Sequence, residues 1–245
     1  FTNCVFAHTF GRAFSCCESQ NIIVNNTLVE DFGFDGIALY QSYRTQITNN
    51  IIRDGGIIVH HESGISNNAD PEAIILNNEI TDMYWDGINI YVENNVNSKM
   101  VIKNNHVHHT GRNNLLDNVS AIYLTNANNV SIHNNYIHHI GCHTSGARGL
   151  YLNIGSNDLS VRNNVIAHTY DGGIHLQNGF RNKVSNNIIA YATKGLMSKG
   201  EGKDDFWHGN IMMSLYNNIF ITLEGLYYIK DWQYDTFEAD KNLYY

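Results

Sequence analysis

At 245 residues and 43% hydrophobic content the chain is long enough to bury a substantial core. Its formal charge of -8, with 16% charged residues and the Lys and Arg scattered singly, offers no basic stripe for phosphate neutralisation, so nucleic acid is excluded as an expected partner. No apolar run approaches the roughly 20 residues that span a bilayer, which excludes membrane insertion, and no basic-then-apolar leader precedes Phe1.

An internal repeat organises the chain. Asn-Asn pairs recur at 25-26, 49-50, 77-78, 104-105, 134-135, 163-164, 186-187 and 217-218, at intervals of 23 to 31 residues. Two residues before each pair stands an aliphatic: Ile23, Ile47, Ile75, Ile102, Ile132, Val161, Val184 and Leu215. Two residues after each pair stands another apolar residue: Leu28, Ile52, Ile80, Val107, Ile137, Ile166, Ile189 and Phe220. Both columns read as inward positions of short strands. A third strand follows a turn, as in Asp35-Gly36-Ile37, Asp86-Gly87-Ile88, Arg148-Gly149-Leu150, Gly172-Gly173-Ile174 and Glu224-Gly225-Leu226. Its inward column is Ile37, Ile57, Ile88, Ile122, Leu150, Ile174, Leu196 and Leu226. The pattern predicts an all-β, single-stranded right-handed parallel β-helix, a solenoid of about nine coils with three short strands each. At about 4.8 Å per coil its length is roughly 40 Å.

The chain reads as one domain, residues 1-245, and as a fragment lacking its N-terminal cap, with the stretch around Trp232 and Phe237 as a partial C-terminal cover. The Asn pairs read as structural, because Asn tolerates a left-handed backbone and stacked amides bond from coil to coil as an asparagine ladder. The sequons they create at Asn25, Asn118 and Asn129 are no evidence of secretion. Cys4, Cys16, Cys17 and Cys142 fall in no metal-ligand spacing, adjacent Cys16 and Cys17 face opposite ways, and the redox compartment stays open.

Inward side chains fill the core of a solenoid, so chemistry belongs to outward columns and long turns. The outward third-strand columns run Ala38, Ile58, Asn89, Tyr123, Tyr151, His175, Met197, Tyr227 and Tyr40, His60, Tyr91, Thr125, Asn153, Gln177, Lys199, Ile229. Aromatic platforms flanked by amides and hydroxyls suit sugar rings, although an exposed Tyr-rich strand also follows from β propensity. The expected substrate-binding residues are Asn89, Tyr91, Tyr123, Tyr151, Asn153, Gln177 and Lys199, with Arg148 beside them. Nearby carboxylates are Asp35, Asp54, Asp86, Asp117 and Asp171, with Glu62 and Glu93 in longer turns. Glycoside hydrolysis uses two carboxyls roughly 5 to 9.5 Å apart, a spacing that neighbouring coils permit. An Asp before Gly is equally a turn residue bonding its own backbone. A further polar column, Glu30, Asp54, Asp82, His109, His139, His168 and Tyr191, has the residue types of a metal site. It reads instead as a hydrogen-bonded turn ladder, and the doublets His60-His61, His108-His109 and His138-His139 face opposite ways. No metal and no cofactor is assigned. The charged turn from Lys199 to Asp205 reads as a solvated loop, and the turns at 62-72 and 111-119 as candidate roofs over the face.

The order of segments, from Asn3-Cys4-Val5-Phe6-Ala7-His8-Thr9 through Gly87-Ile88-Asn89 to Asp240-Lys241-Asn242-Leu243-Tyr244-Tyr245, resembles bacterial right-handed parallel β-helix glycoside hydrolases of the α-L-fucosidase-like and xylosidase-like type. In that family a catalytic acid opens an Asp-Met-Gly-Gly-Ile-Tyr motif. The matching stretch is Asp117-Asn118-Val119-Ser120-Ala121-Ile122-Tyr123, which puts the acid's place on Asn118 when aligned without a gap and on Asp117 after one inserted residue. The family's second acidic site matches Gly149-Leu150-Tyr151-Leu152-Asn153-Ile154-Gly155, where Asn153 and Ile154 replace both acids, and a matching His survives as His175. Asn can be neither carboxylate nucleophile nor general acid.

The resemblance therefore implies a glycoside hydrolase-like protein acting on a poly- or oligosaccharide, extracellular or periplasmic, with Asp117 as one acid and Asp171 or Asp86 as substitute partner around His175. The alternatives are a catalytically silent glycan-binding module, a structural or adhesive β-helix, and a polysaccharide lyase using His175 or Lys199 as base. Oligomeric state is open.

Overall fold

The computed structural model describes residues 1-58, 62-92, 98-112, 119-141, 146-199, 213-230 and 237-245. The described residues hold 26 strands, all paired in parallel with a strand one coil away. First strands are three or four residues long, and the three-residue ones bury their central side chain, as Val101–Lys103 buries Ile102 between two half-exposed residues. They stack into a nine-stranded sheet from Ile23–Asn25 to Phe237–Asp240. In register, Ile102 lies between Ile75 and Ile132, so like stands on like along the axis. Val24, Ile47, Ile75, Ile102, Ile132, Val161, Val184 and Leu215 form this wall of the core, each fully buried. A buried aliphatic of this kind contributes about 1.5–3 kcal/mol.

The residue closing each first strand takes a left-handed backbone: Asn26, Asn49, Asn77, Asn104, Asn134, Asn163, Asn186 and Asn217, with φ between 50° and 58°. The next residue points inward. Asn50, Asn78, Asn105, Asn135, Asn164, Asn187 and Asn218 are buried, and each amide bonds along the axis. Asn105 Nδ2 donates to Ile75 O (3.0 Å) and Asn135 Oδ1 (3.1 Å), while its own Oδ1 accepts from Asn78 N and Nδ2 (3.0 Å each). Every buried polar atom of the corner is thereby satisfied, as a water-free interior requires.

Second and third strands form one 17-stranded sheet. The residue just before the inward aliphatic of a third strand must be small: a Cβ on Gly149 would lie 2.6 Å from Gly173 O, and one on Gly173 2.8 Å from Gly195 O. Seven turns, from residues 5-25 to residues 165-185, carry three separate strands. In the remaining rungs the second and third strands run together as Ile188–Lys199 and Ile219–Lys230, so the regular turns number seven where the repeat suggests nine.

Four inward assignments change. In the first coil Ile23 is 47% exposed and Val24 is buried, while Leu28 gives way to Val29, because the left-handed residue is the second Asn of the pair and Thr27 takes the buried amide's place. In the third-strand column Ile57 is exposed, and Ile65 of Ile65–Asn68 stands in register with Ile37 and Ile88. The stretch 62-72 is thus partly a core strand rather than a roof. Near the C-terminus Tyr227, not Leu226, pairs with Leu196. Cys16 is partly buried and Cys17 exposed, and Cys4, Cys16 and Cys17 are free thiols.

Candidate functional site

Along the third strands Ile88, Ile122, Leu150 and Ile174 face the core, so strand alternation sets the residues that follow them on the opposite side. There Asn89, Tyr123, Tyr151 and His175 are successive partners, and Tyr91 pairs with Thr125. The Tyr123 ring meets Tyr151 edge-on with centroids 5.1 Å apart, and Tyr151 stacks on His175 at 4.6 Å with 5° between planes. The Arg148 guanidinium carbon lies 4.5 Å from the Tyr151 centroid, within cation–π range. Tyr151 Oη donates to Gln177 Oε1. Asn153 Nδ2 donates to Tyr123 Oη (2.5 Å) and Thr125 Oγ1 (3.3 Å).

The face is not uniformly open. Tyr91 is 38% exposed, and Asn89, Tyr123, Thr125 and Asn153 are half-buried. Tyr151, His175, Gln177, Arg148 and Met197 are buried. Alternation alone gave the aromatic strip but not its cover; the geometry is a more exposed half beside a buried junction of Arg148, Tyr151 and His175. Burial lowers the Arg148 guanidinium below its ordinary value, against the opposing pull of Tyr151 and Asp171.

Asp171 sits at the edge of this junction, 3.0 Å from Lys194 Nζ and 3.9 Å from Arg148 Nη2. Lys194 was not anticipated; its signal was its position directly opposite Gly172 one coil on. Asp86 is buried and accepts the Ser120 N–H at 2.6 Å, as Asp35 accepts that of Ser63 at 2.9 Å. These carboxylates therefore join coil to coil rather than bonding their own turns. Burial pushes the Asp86 carboxyl up to about 7, against the smaller opposing effects of the Ser120 bond and Arg148. In the unfolded chain it ionises near its ordinary value of about 3.9. Between those two points the native state holds a proton that the unfolded state releases, so stability falls as pH rises from about 4 to about 7. Asp86→Asn, which keeps an acceptor for Ser120, is expected to flatten that part of the profile. Thermal melts of both proteins across this range check it, and parallel profiles would refute the assignment.

At the other end of the face, burial and then the neighbouring Asp35 carboxyl raise the Glu62 carboxyl to about 7. Arg12 reaches Asp35 at 3.1 Å and Glu62 at 3.8 Å.

In the column after the Asn pairs, His109, His139, His168 and Tyr191 share left-handed φ values of 51° to 55°. They stack ring on ring at 4.8 to 5.1 Å rather than forming a hydrogen-bonded ladder. Asp31, not Glu30, holds the left-handed position in Leu28–Phe32. Asp82, His109, Arg112, His139 and His168 line a groove of about 360 Å³, and Arg112 joins Asp54 at 3.4 Å and Asp82 at 3.3 Å. Asp117, Asn118, Glu93, His60, His61, Cys142, Asp205, Trp232 and the side chains of Lys199, Ile229 and Phe237 lie outside the described residues.

A family model described as "Right handed beta helix region" matches residues 1-142 and 63-220. The chain belongs to this right-handed β-helix family. No curated protein matches it. Among solved structures, this β-helix is similar to the mannuronan C-5 epimerase AlgE6 A-module of Azotobacter vinelandii, at 15% identity and a TM-score of 0.68 over 92% of this chain and 58% of that one. It is also similar to PfbA, a surface adhesin of Streptococcus pneumoniae, at 18% identity and a TM-score of 0.61, over 91% and 61% of the two chains. A variant of the periplasmic alginate epimerase AlgG matches at 15% identity and a TM-score of 0.58, over 98% and 49%. The chain spans less than two thirds of the length of each of these proteins. At such identities the likeness is one of fold, and the finer likeness to fucosidase-like and xylosidase-like hydrolases rests on the strand motifs alone.

Proposed function

We propose that this β-helix binds a polysaccharide along the third-strand face and acts on it by moving a proton on a sugar ring, the chemistry of a lyase or epimerase, outside the cell or in the periplasm. The observation that carries the reading is the dry junction of Arg148, Tyr151 and His175. Taking a proton from a carbon beside a carboxylate builds negative charge, which calls for a positioned acid or base and a fixed cation. Tyr151 and His175 carry the transferable proton, and Arg148 supplies the charge. Uronic acids are the sugars with such a carbon. Asn89, Tyr91, Tyr123, Thr125 and Asn153 are exposed enough to hold the flanking rings. The epimerases among the similar structures support a polysaccharide substrate, and the surface adhesin and periplasmic epimerase support the location.

Hydrolysis is the second reading, favoured by the Asp86 carboxyl that holds its proton to about 7 and so suits a general acid. Its partner would be Asp171, which Lys194 and Arg148 already engage, or Asp117. Incubation with uronate-rich and neutral glycans in D2O, followed by mass spectrometry and NMR, tests both. Deuterium uptake or unsaturated ends on a uronate glycan is the expected result. Added water would replace the proposal with hydrolysis, and binding without product would leave a glycan-holding module.

A further inference from the structure

The second strands His106–His108 and Tyr136–Ile140 lie side by side, with His106 opposite Tyr136 and His108 opposite His138. His106 and His108 are two residues apart on one strand and rise from the same face. His138 stands beside them one coil on. One nitrogen from each of the three imidazoles lies within 4.8 Å of the other two, and all three rings are partly buried. His106 Nε2 is 2.8 Å from His138 Nε2. His108 Nε2 is 3.3 Å from Glu79 Oε1, on the strand one coil before. The far nitrogens are held from behind: His108 Nδ1 lies 3.1 Å from Thr81 Oγ1 and 2.8 Å from His109 Nδ1, and His138 Nδ1 lies 2.7 Å from His139 Nδ1. Metal-binding imidazoles are oriented in this way, with one nitrogen anchored and the other presented.

We propose that His106, His108 and His138 bind a divalent transition-metal ion of the zinc class through their Nε2 atoms, with the Glu79 carboxylate as fourth ligand. Imidazole selects zinc, copper, nickel or iron(II) over magnesium and calcium, which prefer all-oxygen sets. Tetrahedral zinc with bonds of about 2.0–2.1 Å sets neighbouring nitrogens about 3.3 Å apart, so the His106–His138 contact opens by about half an ångström on binding. That movement is within reach of side-chain rotation in partly exposed rings. The four ligands come from three successive coils, so the ion pins those coils together and its binding registers as stability. The site lies on second strands, whereas the Tyr151 junction lies on third strands, and it stands whether or not that junction turns over a glycan.

The test is titration of the full, untagged chain, stripped with chelator, with zinc by calorimetry and with cobalt(II) by visible absorption. One ion per chain, d–d bands of a four-coordinate site and a raised melting temperature are expected. The His106→Ala/His138→Ala double variant should weaken binding about 100-fold or more, and Glu79→Gln about tenfold. His138→Gln, which keeps a hydrogen-bonding side chain of similar reach, serves should the double variant fail to fold. His168→Ala, in the adjacent ring stack, should bind as the parent does. No saturable binding, binding that survives the loss of His138, or equal loss in His168→Ala would overturn the proposal.

Discussion

Tyr151→Phe is expected to lower kcat/KM about 10²- to 10⁴-fold on the glycan that the panel identifies, with little change in binding. The substitution removes one oxygen and leaves the ring, so the stack on His175 and the contact with Arg148 persist. What disappears is the hydroxyl that bonds Gln177, and with it the proton that the junction holds in a site closed to water. Turnover should fall while the melting temperature shifts by a few degrees at most. Tyr123→Phe is the informative companion, since its hydroxyl accepts from Asn153 on the wetter half of the face. It should raise KM more than it lowers kcat. Parent-like kcat in Tyr151→Phe would remove the phenol from the mechanism and turn attention to Asp86.

Asn135→Ala should destabilise the chain by about 3–5 kcal/mol, read from the shift in a urea midpoint. Its amide donates to Ile102 O at 3.1 Å and Asn164 Oδ1 at 2.9 Å, and it accepts from Asn105 N at 2.9 Å and Nδ2 at 3.1 Å. Alanine leaves all four partners buried without water to replace the lost bonds. Asn104→Ala provides the contrast. Its exposed side chain donates once, to Asn77 Oδ1 at 3.1 Å, and its left-handed φ of 53° makes alanine costly by only about 1 kcal/mol. If Asn135→Ala were no worse than Asn104→Ala, the inner row of amides would not be what closes the corner.

The repeat was legible in the sequence because stacking like on like forces the same residue type into the same place every coil. Its errors were errors of phase. In the first coil the left-handed residue is the second Asn, not the first, and a slip of one residue turns a strand inside out. The third strand near residue 60 was misplaced although Ser63-Gly64-Ile65 carries the same small-residue signal as Asp35-Gly36-Ile37. The exposed Ile57 and Ile58 matched the spacing and drew the assignment away.

The candidate site was legible in part. Alternation put Asn89, Tyr123, Tyr151 and His175 on one face, but alternation reports direction and not cover, so the burial of Tyr151, His175 and Arg148 could not be read from it. The pairing of Lys194 with Asp171 depends on turn lengths that differ from coil to coil. The histidines show the same division. The column after the Asn pairs singled out His109 and His139, whereas the imidazoles that converge are His106 and His108, two apart on a strand, with His138 from the next coil.

Sequence by itself determined the solenoid, most of its apolar columns and the side of the strand on which Asn89, Tyr123, Tyr151 and His175 stand, because these follow from a short-range period of two repeated along the chain. Tertiary structure alone decided which side chains from successive coils touch, which are sealed from water, and that Asp86 and Asp35 bond across coils. Those properties depend on the registry of segments 23 to 34 residues apart, and registry is set by the lengths of irregular turns that no local pattern encodes.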